Sequence, residues 1–379
     1  MRINPFIITE DYVAPEYFCD REFESSVLRS NILNGRNTVL ISPRRMGKSG
    51  LIAHVIRERS LVEAYTTFTL DLFPTTSLTE MILLLSNEIV GKMKSKEERF
   101  IDRFVSYVKS LRPGVKMNPA SGEFEFNLSL GEITRPQESL EEIFQYLSDS
   151  PKPCIVAIDE FQQIAEYSEK NVIALLRSHV QKCANSRFIF AGSNRRMMDK
   201  LFNSPSEPFY LSCSPLYLDV IDKDKYWVFA RSHFEASGCS ISRECFDIVY
   251  DRFEGHTWYV QRILNELFER AQNDIFVSEE CISEAVDFVV KLNSKAFEDQ
   301  FKSYSDAQKS LLIAIAKEGN ANGITSIAFV RRHSLKTPST VQSAARQLYE
   351  QEVITKNDTC YSITNRFFAI WLNNIYGSR

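Results

Sequence analysis

The sequence predicts an α/β fold: a parallel sheet sandwiched between helices, then a helical lid, then a C-terminal winged helix. Three observations predict it. A short apolar run over residues 38–41 passes through Pro-Arg-Arg-Met-Gly-Lys-Ser into an amphipathic run, the order strand, loop, helix. A second run, Cys154-Ile-Val-Ala-Ile158, is apolar throughout and stops at Asp159 and Glu160. Such a run reads as a central parallel strand buried on both faces. Residues 304–379 read as three helices followed by two short strands, the order of a winged helix.

The first stretch carries the most chemistry. Thr38-Val-Leu-Ile-Ser-Pro-Arg-Arg-Met-Gly-Lys-Ser49 follows the phosphate-cradling pattern G-x-x-x-x-G-K-S/T, with Ser42 where the first glycine is usual. Each residue type suits a P-loop. Backbone N–H groups feeding a helix N-terminus point at an anion, and the helix dipole favours it. Gly47 takes backbone angles that a side chain would forbid. Lys48 reaches the β- and γ-phosphates, and Ser49 offers its hydroxyl to Mg²⁺. The expected nucleotide-binding set is Pro43, Arg44, Arg45, Met46, Gly47, Lys48, Ser49 and Gly50. An isolated Gly-Lys-Ser usually has no function; the strand-to-helix context favours one here.

Composition narrows the class. A chain of 379 residues allows two or three domains. Hydrophobic content of 44% and charged content of 25% describe a soluble globular protein. A net charge of −4 and a pI near 5.9 argue against a surface given over to nucleic acid, while leaving room for a local basic patch. No apolar run approaches the ~18 residues of a membrane span. Met1-Arg-Ile-Asn-Pro-Phe6 lacks the apolar core of a signal peptide, so the expected location is cytoplasmic. The eight cysteines form no Cys-x-x-Cys pair and are expected as reduced thiols. With the histidines dispersed as well, zinc is not expected.

Along the chain, Tyr17–Leu28 reads as a helix capped by Asp20, with Glu22 and Glu24 in its first turn. Tyr17 and Phe18 either stack on a base or anchor the N-terminus. Ala64–Asp71 is a second strand, and Asp71 at its end is either a site residue or a loop cap. Residues 77–111 repeat apolar positions at helical spacing. Residues 112–136 break that pattern. Pro119–Gly122 makes a turn and Glu123–Leu130 alternates polar with apolar, which predicts an inserted β-hairpin or arm. A helix follows through Leu140–Leu147.

The apolar run ending in Asp159 and Glu160 is the form that completes a P-loop ATPase. Asp159 is expected to hold Mg²⁺, chiefly through water, and Glu160 to polarise the attacking water as general base. Arg187–Asn194 is a further strand, expected beside the Asp-Glu strand. Asn194 or Ser193 would then face the γ-phosphate or lytic water, unless Gly-Ser-Asn is only a turn. Arg195 and Arg196 either contact phosphate or are solvated.

Residues 219–292 read as all-helical, with amphipathic runs over Tyr226–Ala236, Arg243–Phe253, Tyr259–Ala271 and Glu279–Leu292. His256, at a helix start, is a candidate sensor of bound phosphate or a structural contact. The C-terminal part reads as helices over Asp306–Lys317, Thr325–His333 and Pro338–Glu350, the last capped by Ser339 or Thr340. Strands Val353–Lys356 and Cys360–Ile363 and a helix over Phe367–Tyr376 complete it. Its third helix would enter a major groove on DNA. Arg346 and Gln342 on it, with Arg331, Arg332, His333 and Lys336 ahead, make a thin charge for that task, so protein contact stands equally. The expected domains are 1–215, with the hairpin near 112–136; 216–300, the lid; and 301–379, the winged helix.

These residues together resemble a family. Phe18-Cys-Asp-Arg-Glu-Phe-Glu24, Ser42–Ser49, Ile158-Asp-Glu-Phe161, Gly192-Ser-Asn194, Pro208-Phe-Tyr210, Gly255-His-Thr257 and a terminal winged helix are similar to the archaeal-type ATPases within the AAA-like and STAND P-loop ATPases. The likeness covers nearly the whole chain, and Pro-Arg-Arg-x-Gly-Lys-Ser is its most specific part. Three positions depart: Ser42 for glycine, Glu207 where an arginine is common before Pro-Phe-Tyr, and Thr257 for a frequent proline. The resemblance implies an AAA-like core, a helical lid, a winged helix, and ATP with Mg²⁺. The function expected is an ATP-hydrolysing conformational switch. Two alternatives are a module that holds nucleotide with little turnover, motivated by Glu207, and a DNA-associated regulator acting through the winged helix. A homo-oligomer and a protein client are open partners, nucleic acid stays open, and no membrane partner is expected.

Overall fold

The computed structural model describes residues 4–8, 14–93, 112–117, 124–129, 135–271 and 276–377. They form two compact units. One comprises Thr9–Tyr226 with His256–Trp258; the other comprises Met1–Ile8, Trp227–Gly255 and Tyr259–Arg379.

The first unit is built on a five-stranded sheet of β1 (Thr38–Ile41), β2 (Thr66–Asp71), β5 (Cys154–Asp159), β6 (Ser186–Gly192) and β7 (Ser214–Tyr217), in the order β2-β5-β6-β1-β7. Every pairing is parallel. The period of two sorts the side chains into two layers. Val39, Ile41, Val156, Ile158, Phe188 and Phe190 join one buried cluster with residues of the helices Leu78–Met93, Pro136–Ser148, Val172–Lys182 and Arg195–Asn203. Leu40, Ile155, Ala157, Ile189 and Ala191 join the other, under α1 (Glu22–Leu33) and α2 (Lys48–Ile56). Both faces are covered, so these strands read as unbroken apolar runs rather than alternating ones. β6 lies between β1 and β5, so the strand ends bearing the loop and the two carboxylates sit one strand apart.

Two local expectations are corrected. α1 begins at Glu22, and its N-cap is Arg21 in the left-handed region (φ 73°) with no side-chain cap bond. Asp20 also has a positive φ of 56°. Its carboxylate accepts from Lys225 Nζ at 2.7 Å instead of capping the helix. The long helical stretch is observed over Leu78–Met93; its remainder, 94–111, lies outside the described residues. Strands β3 (Arg112–Met117) and β4 (Phe124–Ser129) pair antiparallel with each other.

The second unit is mainly helical, but not wholly. Ser240–Ile241 and Phe276–Val277 pair as short parallel strands inside the stretch expected to be all helix. Two-residue strands leave no periodic signal to read. Phe6 is fully buried against Phe229, His233, Phe234 and Phe268. The helix Glu279–Ser303 runs for 25 residues. Asp306–Glu318 then starts with a reciprocal Ser305–Gln308 capping box. Helices Ile327–Arg332 and Pro338–Glu350 follow, and strands Ile354–Asn357 and Cys360–Ile363 form the wing, joined by Ala321–Asn322 as an unexpected third strand. The cap of Pro338–Glu350 is Thr337, not Ser339 or Thr340. Pro338 takes N1, where its missing N–H costs nothing, which puts the cap on the residue just before it.

Candidate functional site

Between β1 and α2 the chain makes the turn that the motif requires. Ser42 N–H donates to Gly192 O at 3.4 Å, extending the β1–β6 ladder by one residue. Arg45 and Gly47 both lie in the left-handed region, at φ 63° and 94°. A Cβ on Gly47 would meet nothing within 4 Å, so this position demands glycine for its backbone angle rather than for space. Gly47 caps α2, and the first intrahelical bond runs from Leu51 N–H to Gly47 O at 2.9 Å. The N–H groups of Gly47, Lys48, Ser49 and Gly50 are therefore the four left over at the helix start, an array suited to an anion.

Lys48 is 5% exposed. Burial pushes its ammonium below the ordinary lysine range, and the carboxylates of Asp159 and Glu160 pull it back up. Those carboxylates come from the end of β5. The Ser49 hydroxyl donates to Asp159 Oδ2 at 2.5 Å, joining segments 110 residues apart. The loop and the Asp-Glu pair thus face one another at the carboxyl ends of β1 and β5, with β6 between them, where open α/β sheets bind ligands.

Glu160 has φ 49° and ψ 41°, an unusual conformation for a residue with a side chain. It is held there from below. The next residue, Phe161, is fully buried and packs on Phe190, Phe202 and Phe209 at centroid distances of 4.6, 5.5 and 5.6 Å. Glu160 Oε2 accepts from Ser193 Oγ at 2.6 Å and from Gln162 Nε2. Arg44 Nε donates to Ser193 Oγ at 3.3 Å. Of the two residues considered at the end of β6, Ser193 is therefore the one against the carboxylate. Asn194 caps the helix Arg195–Asn203, its side chain accepting from Met197 N–H at 3.1 Å.

The other candidates take separate places. Asp71 is level with Asp159 in the β2–β5 register, but its Oδ1 accepts from Phe73 N–H at 2.9 Å, the loop-cap alternative. Phe18 stacks on His54 with centroids 4.1 Å apart, an anchoring contact. Arg195 is mostly exposed, pairs with Asp199 at 3.7 Å and lies over Tyr217. Glu207 pairs with Lys200 at 3.7 Å. His256 belongs to the sheet unit through the short segment His256–Trp258, while its neighbours Gly255 and Tyr259 belong to the other unit.

Three residues at this site were given no role by the sequence. Trp258 N–H donates to Arg45 O at 3.3 Å, and the Arg45 guanidinium lies 4.1 Å from the Trp258 ring centroid. Gln162 had no signal beyond its nearness to Asp-Glu. Arg21, part of the family-like string, is 5% exposed; it donates to Asp219 O at 2.6 Å, to Met46 O at 3.5 Å and to Glu24 at 3.0 Å. It ties the P-loop to the chain leaving β7. Arg21→Met is expected to lower stability by about 3 kcal/mol, since buried charge-assisted bonds are each worth roughly 1.5–3 kcal/mol. A urea midpoint equal to wild type would show that these bonds do not hold the loop.

The geometry can be set beside known proteins. The model of an ATPase domain predominantly from Archaea matches residues 18–263, and that of a probable winged helix domain matches residues 295–374. The chain belongs to this archaeal-type ATPase family. Among solved structures it is similar to a Walker-type ATPase of Pyrococcus abyssi, with a TM-score of 0.65 and 18% identity over 97% of this chain and 99% of that one. The ORC2 protein of Aeropyrum pernix, solved with ADPNP and ADP, gives a TM-score of 0.59 at 13% identity over 99% and 98%. The ORC1 protein of the same organism, solved with DNA, gives 0.53 at 13% identity over 99% and 97%. At such identities these likenesses establish the fold: a P-loop α/β core in a chain that ends in a winged helix. Curated proteins gave no match. No helix among the described residues is long and apolar enough to cross a membrane.

Proposed function

We propose that this protein binds ATP with Mg²⁺ and hydrolyses it to drive a conformational switch. The observation that carries the reading is the Ser49–Asp159 contact at 2.5 Å beside a buried Lys48. It brings the residue types of phosphoryl transfer to one point. A hydroxyl and a carboxylate are hard oxygen donors that suit Mg²⁺ and not a soft metal. Ser49 and Asp159 would hold the ion, which neutralises charge on the β- and γ-oxygens when bound. The free N–H groups of Gly47 to Gly50 cradle the β-phosphate. Lys48 balances the triphosphate's charge, at a position already desolvated. Glu160 takes the proton of the attacking water. Pro43, Arg44, Arg45 and Met46 shape the loop, and Asn194 sets the start of the helix beyond it.

His256 and Trp258 link this chemistry to the rest of the chain. A triphosphate competes with the Trp258 ring for the Arg45 guanidinium, and the segment His256–Trp258 carries the change to its covalent neighbours. Mg²⁺-dependent phosphate release by the 379-residue chain tests the activity. A folded sample that gives no heat with ATP in a calorimeter would remove the reading. Quenching or shift of Trp258 fluorescence on adding ATP, lost in Arg45→Ala, is expected of the switch.

A second reading gives the winged helix a duplex partner, favoured by the fold shared with a protein solved with DNA. Arg332 and Arg346 are already paired, with Glu318 at 2.7 Å and Glu350 at 2.8 Å. DNA binding would have to displace those partners, and this places the reading second. If it holds, binding falls steeply with salt and is weakened in the Arg332→Ala, Arg346→Ala double variant. Absence of binding at low salt ends it.

A further inference from the structure

We propose that Arg44 is a catalytic cation supplied in cis: its guanidinium lies across the carboxyl end of β5 and stabilises the charge that gathers on the transferring phosphoryl group. The inference rests on the hydrolytic reading above and names a further residue for that reaction.

Arginines reach this end of the sheet from several directions, and their side chains part. Arg45, at φ 63°, stands 4.1 Å from the Trp258 ring centroid. Arg195 pairs with Asp199 and lies over Tyr217. The segment before Pro208 offers a carboxylate, Glu207, which pairs with Lys200. Arg44 turns another way. Its Nε donates to Ser193 Oγ at 3.3 Å, just past the end of β6, and its guanidinium carbon stands 5.8 Å from the ring centroid of Phe73, just past the end of β2. β5 lies between those two strands. Adjacent strands are about 4.8 Å apart, so a side chain that meets residues beyond both outer strands passes over the middle one. That middle strand ends in Asp159 and Glu160.

A hydroxyl and an aromatic face hold a guanidinium without cancelling its charge. The field of that charge reaches the P-loop lysine. Burial is the main reason the Lys48 ammonium lies below its ordinary range, and the Arg44 charge adds to the depression. Two cations therefore stand around the two carboxylates. Like charges so placed repel, and an anion between them relieves the repulsion.

In hydrolysis the water oxygen bonds to the γ-phosphorus as the bond from that phosphorus to the bridging oxygen breaks. The electron pair leaves with ADP, and the water's proton passes to Glu160. Charge on the bridging and equatorial oxygens is redistributed during the exchange. A guanidinium presents a planar fork of donors to such oxygens, and an arginine placed there is worth roughly 10³–10⁵ in kcat.

The test compares the 379-residue wild type with Arg44→Ala and Arg44→Lys. Arg44 is exposed, so both variants are expected to fold. Arg44→Ala is expected to lower kcat about a thousandfold, while the Kd of ATP, read by calorimetry, changes far less. Arg44→Lys keeps the charge without the fork and falls between the two. A second readout does not depend on turnover. ADP with Mg²⁺ and aluminium fluoride, a mimic of the phosphoryl group in transfer, is expected to bind wild type about a hundredfold more tightly than ADP with Mg²⁺ alone, and to lose that preference in Arg44→Ala. Mixing Arg44→Ala with Lys48→Ala separates cis from trans, because a cation reaching in from a neighbouring copy would restore turnover. No recovery is expected; recovery overturns the assignment in cis. An Arg44→Ala kcat close to that of wild type, or an undiminished preference for the fluoride complex, overturns the inference and leaves the hydrolytic reading standing. Wild type without turnover removes both.

Discussion

Lys48→Ala is expected to lose Mg²⁺-dependent phosphate release to background and ATP binding with it. Lys48 is the only cation that the P-loop pattern directs at the β- and γ-phosphates, and it stands buried between that loop and two carboxylates. At a hundredfold excess over Kd, bound nucleotide stabilises a protein by about 2.7 kcal/mol; the ATP-dependent rise in Tm should therefore appear in wild type and vanish in Lys48→Ala. The ligand-free protein behaves differently. Burial holds the ammonium below its ordinary range. A lysine whose folded pKa is depressed costs stability while it is charged, and that cost is present below the folded pKa and relieved as pH rises through it. Lys48→Met removes the cost and keeps the side chain's bulk. Its ligand-free Tm at neutral pH is accordingly expected to equal or exceed that of wild type. Equal hydrolysis by wild type and Lys48→Ala would take this loop out of the mechanism.

Glu160→Gln is expected to separate binding from turnover. The amide keeps the shape and accepts no proton, so kcat should fall by roughly 10²–10⁴, the usual contribution of a general base. Affinity for ATP should hold or improve, since one negative charge beside the triphosphate is gone. Single-turnover phosphate release and calorimetry read the two quantities independently. Negligible wild-type hydrolysis with tight retention, unchanged in Glu160→Gln, would instead favour the nucleotide-holding alternative that Glu207 motivated.

Both variants lie at positions that could be read from the sequence, because each carries a local signature. Val39–Ile41 and Cys154–Ile158 are apolar without a break since these strands are covered on both faces, and that continuity is visible residue by residue. Gly47 was legible because only glycine takes its angle at no steric cost. The order of the winged helix was legible too, as amphipathic helical segments followed by two short strands, although the cap of Pro338–Glu350 was not. Short strands such as Ser240–Ile241, Phe276–Val277 and Ala321–Asn322 were not. Two residues hold no period, and their pairing is settled by distant partners.

What the sequence determined alone was the list of candidate residues: the loop Pro43–Gly50, the carboxylates Asp159 and Glu160, and the strand-to-helix frame that presents them. Local propensity and pattern suffice for these, since each is specified by neighbours along the chain. The tertiary structure alone decided which side chains meet. It selected Ser193 over Asn194 against Glu160, set Trp258 on Arg45, and drew the buried Arg21 across to Asp219 and Met46. Those choices depend on strand order and on helix packing between residues far apart in sequence, and no local pattern encodes a distance through space.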